Sequence, residues 1–421
     1  MPLCIGQKRK GGTGRSSPQG KKKDTEVTKK NHKTAIPTIA EKNRIIANVI
    51  EAILQGDDFL LIGHQHPDED CVASMVAFGL LLSKLEKRSY ITACAEINEN
   101  FQYLLNICKY NSISVIEDCE EVPDEITAMI ILDTPKPTML MHSPATAKLY
   151  ADPQILHIEL DHHLEADSSF CGDPGYRLVD EASSTCELIG FLAFKLRNRE
   201  ELFPAYRGVK IFTRNFVLAV LTGIIGDSKM GKYLKSNRER WFYNLFSSMF
   251  NEILRSETFS TSANLSDMTE VYDEIFRLSD EEENCYRYFM ERKNCVPKVC
   301  YIVMEKKDSE QINSAFQHET VVNISRTVAD KLAEESGYLS LVGFYDDPEH
   351  SNFIQFRMRR SEHYRGIDLR TIIAAFSIEN GGGHKGAIGF RIDRENLPDL
   401  KSFIDELLTG TQQLIEIAEA N

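Results

Sequence analysis

LIGHQHPDEDCVAS, Leu61 to Ser74, sets two histidines and three acids between the apolar runs FLLIG (59–63) and VASMVAFGLLL (72–82). The first run has the length and composition of a buried strand, the second the length of a buried helix. Acids and imidazoles at such a join cost desolvation energy unless something neutralises them. The rest of the chain has to say what that is.

Outward from this stretch, AEKNRIIANVIEAILQG (40–56) carries apolar residues at helical spacing and stops at a glycine. YITACA (90–95), ITAMIILD (126–133) and ILHIELDHH (155–163) read as strands, and ENFQYLLNICKY (99–110) and DEASSTCELIGFLAFKL (180–196) as helices. The second of these helices opens on a capping signature, Ser184-x-x-Glu187. FVLAVLTGIIGDS (216–228) reads as an apolar helix or strand. Strands alternating with helices predict an α/β fold, a mostly parallel sheet with helices on both faces. The expected organisation is a disordered basic tail (1–38), a catalytic domain (39–230), a helical connector (231–297) and a smaller α/β C-terminal domain (298–412). VCYIVME, GYLSLVGFYD, FIQFRMRR and GAIGFRI supply the strands of that last part.

The chain has 421 residues, 42% of them hydrophobic, and a net charge of −14. Residues 1–34 hold ten lysines and arginines against two acids, so the rest is strongly acidic. Such a body disfavours long duplex nucleic acid as the main ligand, because phosphate binding is driven by cationic surface. The tail is expected to be solvated, with RNA or an acidic partner as the competing reading. Ten scattered cysteines with no C-x-x-C pair predict reduced thiols and a cytoplasmic protein. No secretory signal or membrane-spanning run is evident, and a homodimer is left open.

His64, Asp68 and Asp70 follow the first strand, Asp133 follows AMIIL, His162 follows ILHIEL, and Asp227 closes the apolar segment near residue 226. In open α/β sheets, ligands bind at the carboxyl ends of the strands. Four carboxylates and two imidazoles meeting there, without a thiolate, suit two divalent ions of the Mn²⁺, Fe²⁺ or Co²⁺ type. Taken singly, each acid is more simply a turn residue or helix cap. Their shared position at element ends argues for the joint reading.

HQHPDED with its following Ser74, then ILD, LDHH and GIIGDS, resemble in order the four motifs of the DHH phosphoesterase superfamily, and ENGGGHKGAIGF (379–390) resembles the signature of its associated C-terminal domain. The resemblance covers about residues 40–410. It implies that His64, Asp68 and Asp133 hold one metal ion and that Asp70, Asp133, His162 and Asp227 hold a second, with Asp133 bridging. It gives His163 to the scissile phosphate or leaving oxygen, so that His163 and Asp133 are the catalytic pair. Gly381, Gly382, Gly383 and His384, with Arg357 or Arg360, would bind substrate. Glu69 stands where the family often has glycine, which adds a charge at the rim.

The implied activity is Mn²⁺-dependent hydrolysis of short oligoribonucleotides or of 3′-phosphoadenosine 5′-phosphate. A cyclic di-AMP or linear dinucleotide phosphodiesterase is the alternative, and a non-catalytic nucleotide-binding regulator a further one. Inorganic pyrophosphate fits the glycine-rich C-terminal motif less well. Family exonucleases for single strands carry extra nucleic-acid-binding domains that are not evident here.

Overall fold

The computed structural model describes residues 32–93, 97–117, 122–140, 143–199, 208–257, 265–397 and 399–420. Most of the basic tail and the end of YITACA lie outside them. The chain divides into two compact units, 1–277 and 278–421, with the division inside the helical segment 231–297.

The first unit is built on six parallel strands: β1 (Asp58–Ile62), β2 (Arg88–Thr92), β3 (Ser114–Ile116), β4 (Ala128–Leu132), β5 (Leu156–Asp161) and β6 (Arg177–Val179). Their order is β3-β2-β1-β4-β5-β6. Ile62 pairs with Ile131, and Leu132 with Leu160, so the carboxyl ends of β1, β4 and β5 stand side by side. The residues that follow them are therefore neighbours despite separations of 30 to 100 positions in sequence.

Strand alternation splits the apolar side chains between two cores. Phe59, Leu61, Ile130, Leu132, Ile158 and Leu160 enter the larger one. It is completed by helices α1 (Ile39–Gln55), α2 (Glu69–Lys84), α3 (Gln102–Tyr110), α5 (Thr185–Arg197), α6 (Arg214–Ser228) and α7 (Asn237–Glu257). Leu60, Ile62, Met129 and Ile131 face the other way, onto a smaller core that includes Leu149 and Tyr150 of α4 (Pro144–Ala151). Helices do lie on both faces, but unequally. FVLAVLTGIIGDS is a helix, so Asp227 reaches the site from the last turn of α6 and not from a strand.

After α8 (Met268–Ile275) and α9 (Asp280–Met290), the second unit forms a mixed sheet of order β11-β12-β10-β9-β8-β7. Its strands are β7 (Asn294–Val296), β8 (Val299–Val303), β9 (Leu339–Tyr345), β10 (Phe353–Arg360), β11 (Gly381–His384) and β12 (Ala387–Asp393), with only the β8–β9 pair parallel. One face packs on α12 (Arg370–Ala375) and α13 (Leu400–Ala420), the other on α10 (Lys306–Ala315) and α11 (His318–Ser336).

Two expectations need correction. Cys295 and Cys300, paired across the β7–β8 hairpin, form a disulfide, so the thiols are not all reduced; Cys71, Cys108, Cys171, Cys186 and Cys285 are free and buried. The end of the basic tail is not solvated either, since Lys33 is 1% exposed. The tail reading applies at most to residues 1–31.

Candidate active site

β4 ends in Asp133, whose backbone turns left-handed at φ 51°. That conformation is uncommon for a non-glycine residue, and aspartate adopts it more readily than most. The turn leaves a buried carboxylate beside the ends of β1 and β5. His64 Nε2 lies 3.9 Å from Asp133 Oδ2 and 3.8 Å from Asp68 Oδ1. His162 Nε2 lies 3.4 Å from Asp133 Oδ1, 3.1 Å from Asp227 Oδ2 and 3.9 Å from Asp70 Oδ2. All six residues named from the sequence thus gather at one place, with Asp133 between the two imidazoles.

Asp68 also caps α2, accepting a hydrogen bond from Cys71 N at 3.1 Å. Cap and site member are therefore compatible roles. Gly63 makes the tight turn out of β1 necessary to both: a Cβ there would lie 2.1 Å from Cys71 Sγ. That thiol stands within 4.8 Å of His64 and Asp133 ligand atoms, a neighbour the sequence reading did not include. Burial first, then the charges of Asp133 and Asp68, raise its pKa well above the usual range, so it sits there as a neutral thiol.

Two supporting groups were invisible in the sequence. The amino end of α5 is aimed at Asp70: Thr185 N and Cys186 N donate to its two oxygens at 2.6 and 3.1 Å, and Thr185 Oγ1 donates to Asp133 Oδ1 at 2.9 Å. A helix start supplies unpaired N–H groups and partial positive charge, which suits a buried carboxylate. Ser184 caps that helix as its spacing suggested, while Glu187 reaches back to Ser183 instead of Ser184.

Behind the DHH turn, Lys33 Nζ donates to Asp161 Oδ2 at 2.6 Å and Thr134 O at 2.5 Å, and lies 2.9 Å from Glu159 Oε1. Asp161 in turn accepts from the His163 backbone N at 3.2 Å and faces His163 Nδ1 at 2.8 Å. The lysine thus braces the carboxylate that orients the second histidine.

The charges are strained. Burial, then Asp133 and Asp227, push the Asp70 carboxyl far above its ordinary range. Glu69, also driven mainly by burial, rises to about 7. Burial works the same way on Asp133, but the His162 hydrogen bond and the nearby imidazoles overcome it and hold Asp133 low. Burial lowers the His162 pKa, but Asp133 and Asp227 outweigh it and raise it well above its ordinary value, an excess of negative charge that a cation would take up in place of the proton.

Such a set is what a divalent cation would satisfy. His64 Nδ1 is buried without a hydrogen-bond partner among the described residues. Donor separations of 3–4 Å are natural for atoms that each approach a shared ion to about 2.1 Å. The described ligand groups fall into the overlapping clusters Asp133–His162–His163 and Asp70–His162–Asp227, besides the one with His64.

In the second unit, Gly381–His384 is strand β11, exposed and paired with β12. Gly383, at φ 138°, leaves no room for a side chain: a Cβ would lie 2.3 Å from Ala387 O. Arg360 stands at this end, its N donating to Gly386 O at 2.9 Å and its Nη1 to Ile367 O at 2.6 Å. Arg357 lies on the opposite face, bonded to Ser325 of α11. The two arginines named from the sequence therefore belong to different surroundings.

Comparison with known proteins follows the same division. The DHH family, N-terminal domain, matches residues 58–224 and the DHHA1 domain matches residues 299–410. The chain is 26% identical over 201 residues to the cyclic-di-AMP phosphodiesterase PdeA of Listeria monocytogenes, covering 45% of this chain and 28% of that protein. It is 27% identical over 104 residues to a probable manganese-dependent inorganic pyrophosphatase of Lactobacillus gasseri, covering 25% and 30% of the two. The chain thus spans under a third of the length of either relative. Its fold is similar to that of an exopolyphosphatase-related protein from Bacteroides fragilis, with a TM-score of 0.57 at 15% identity, covering 88% of this chain and 95% of that one.

Proposed function

Since the chain belongs to the DHH family of hydrolases and carries a DHHA1 domain, we propose that it hydrolyses short oligoribonucleotides, 3′-phosphoadenosine 5′-phosphate, or both, with two Mn²⁺ ions. The observation that carries this is the approach of His64 and His162 to opposite oxygens of one buried carboxylate, Asp133.

His64, Asp68 and Asp133 would hold one ion, and Asp70, Asp133, His162 and Asp227 the other. Bound there, the ions supply positive charge that acidifies a water and offsets negative charge growing on the phosphoryl oxygens. Thr185 and the start of α5 fix Asp70 and Asp133 from behind, so the carboxylates need not reorganise during the reaction. As water attacks phosphorus and the opposite P–O bond breaks, the leaving oxygen needs a proton. His163 is suited to give it: despite burial, the Asp161 hydrogen bond raises its pKa, and with Nδ1 engaged its Nε2 is the donor. Arg360, Gly381, Gly382, Gly383 and His384 carry the anion-binding role, glycine backbone allowing close approach of a phosphate.

Cyclic di-AMP or its linear product is the second reading, favoured by the match to PdeA. The deciding experiment sets 3′-phosphoadenosine 5′-phosphate, a diribonucleotide, cyclic di-AMP and pyrophosphate against the full chain with Mn²⁺. Preference for the first two is expected. Asp133→Asn, which tolerates the left-handed backbone, should lower turnover at least a thousandfold while keeping the fold by circular dichroism. Hydrolysis of none of the four would leave a nucleotide-binding regulator and reject the enzymatic reading.

A further inference from the structure

Strand alternation sends Ile354, Phe356 and Met358 into the core shared with Phe390, and the odd-numbered side chains of β10 toward α11. α11 lies over β8, β9 and β10. Beyond it, on β12, Gly389 pairs with Arg357 and the exposed Arg391 pairs with Gln355.

Arg357 occupies the middle of this face. Its Nε donates to Ser325 Oγ at 2.7 Å and its Nη2 to Gln355 Oε1 at 3.4 Å. Its Nη1 extends over Gly389, to 4.0 Å from where a Cβ would stand, so the missing side chain keeps the approach open. Arg326 follows Ser325 on α11, and Arg359 stands two residues along β10. Burial, then the charges of Arg326, Arg359 and Arg391, push the Arg357 guanidinium down to about 10. Asp330 is engaged by Arg359 at 3.0 Å, and Asp346 accepts from Ser351 and Gln355. Among the described residues, the Arg357 guanidinium is bonded only to the neutral side chains of Ser325 and Gln355. In a chain of net charge −14, a half-buried arginine ringed by three more is a local excess of repulsion that an anion would relieve.

We propose that Arg326, Arg357, Arg359 and Arg391 form a phosphate-binding subsite on the α11 face of the second sheet, separate from Arg360 and the glycine strand. Guanidinium forks match the paired oxygens of a phosphoryl group, and two or more around one centre favour phosphate over a single carboxylate. The phosphate belongs either to an oligonucleotide backbone or to a small free anion. The subsite does not depend on the hydrolase reading.

The test is binding of a fluorescein-labelled hexaribonucleotide to the full chain in EDTA, by anisotropy at several salt concentrations, with pyrophosphate as competitor. Arg391→Gln and Arg357→Gln should each weaken binding about tenfold and flatten the dependence of log Kd on log salt by about one. Pyrophosphate that displaces the RNA from the wild type but does not bind Arg391→Gln identifies a small phosphate as a ligand; a site that takes only the RNA identifies the backbone. Arg391 is exposed, so its loss leaves the fold intact even if Arg357→Gln does not fold. Hydrolysis of whichever of the four substrates above the wild type turns over with Mn²⁺ should persist in Arg391→Gln, and hydrolysis of none of them would reject the enzyme without touching this subsite. Equal affinity and salt slope in wild type and Arg391→Gln overturn the proposal.

Discussion

Lys33 is a single residue with a large energetic lever. Glu159 and Asp161 are both fully buried, and Lys33 is the cation between them. Removing one partner of a buried ion pair strands the others in low dielectric and typically costs about 3–5 kcal/mol. Lys33→Met should lower stability by that order in urea denaturation. Nothing local distinguished Lys33 from the other nine basic residues of the first 34; its partners are more than 100 positions away. Thr185 was hidden for the same reason, sitting 115 residues from Asp70. Thr185→Val removes the hydroxyl donor to Asp133 while keeping the shape of the side chain. It should reduce kcat about tenfold or more with little effect on KM, since it touches a carboxylate of the centre and not the substrate.

The N-terminal turn of α2 shows how closely one element is fitted to its neighbours. Glu69 there packs over Gly226 of α6, where a Cβ would lie 2.0 Å from Glu69 Cγ, and Lys229 Nζ lies 3.6 Å from its Oε1. Burial raises this carboxyl from 4.5 to about 7. A raised carboxyl pKa means the native state holds its proton longer than the unfolded chain does. Its contribution is therefore intact below pH 4.5, declines as pH rises, and levels off above about 7. In metal-free protein, Glu69→Gln should gain on the wild type across that window, by a few kcal/mol at most, at 1.36 kcal/mol per pH unit. A stability difference between the two that is flat from pH 4.5 to 7.5 would contradict the assignment. The same turn offers a packing test. Gly63→Ala should destabilise through its clash with Cys71 Sγ, and Cys71→Ala in the same chain should recover most of the loss, a coupling visible in a double-mutant cycle. What the sequence did reveal at this scale was placement: polar residues after apolar strands land at one sheet edge once β1, β4 and β5 are adjacent. Whether residues 216–228 formed helix or strand was not legible, because a fully buried run is apolar on all sides in either form.

At the scale of the whole chain, each unit has its own core and sheet, and the two should answer to different agents. If Mn²⁺ binds the folded first unit and not the unfolded chain, it should stabilise that unit by about 2.7 kcal/mol at a hundred times Kd. Calorimetry should show an upward shift of a transition that Asp133→Asn abolishes. In the second unit, reduction should release two more thiols to Ellman's reagent in the denatured chain than the unreduced sample shows, from Cys295 and Cys300. That pair escaped the sequence reading because the cysteine spacing is ordinary and only the hairpin brings them opposite each other. The five motifs, by contrast, lay in order along the chain and outlined both units.

His32 bridges to Ser169, and the next residue plunges into the interior behind the turn at Asp161–His163. An engineer shortening this protein would naturally cut just before Ile39, where the first helix opens. Such a trimmed version would be born with two interior acids and no counterion, and a sluggish or insoluble product would then reflect the missing plug, not a defect of the chemistry.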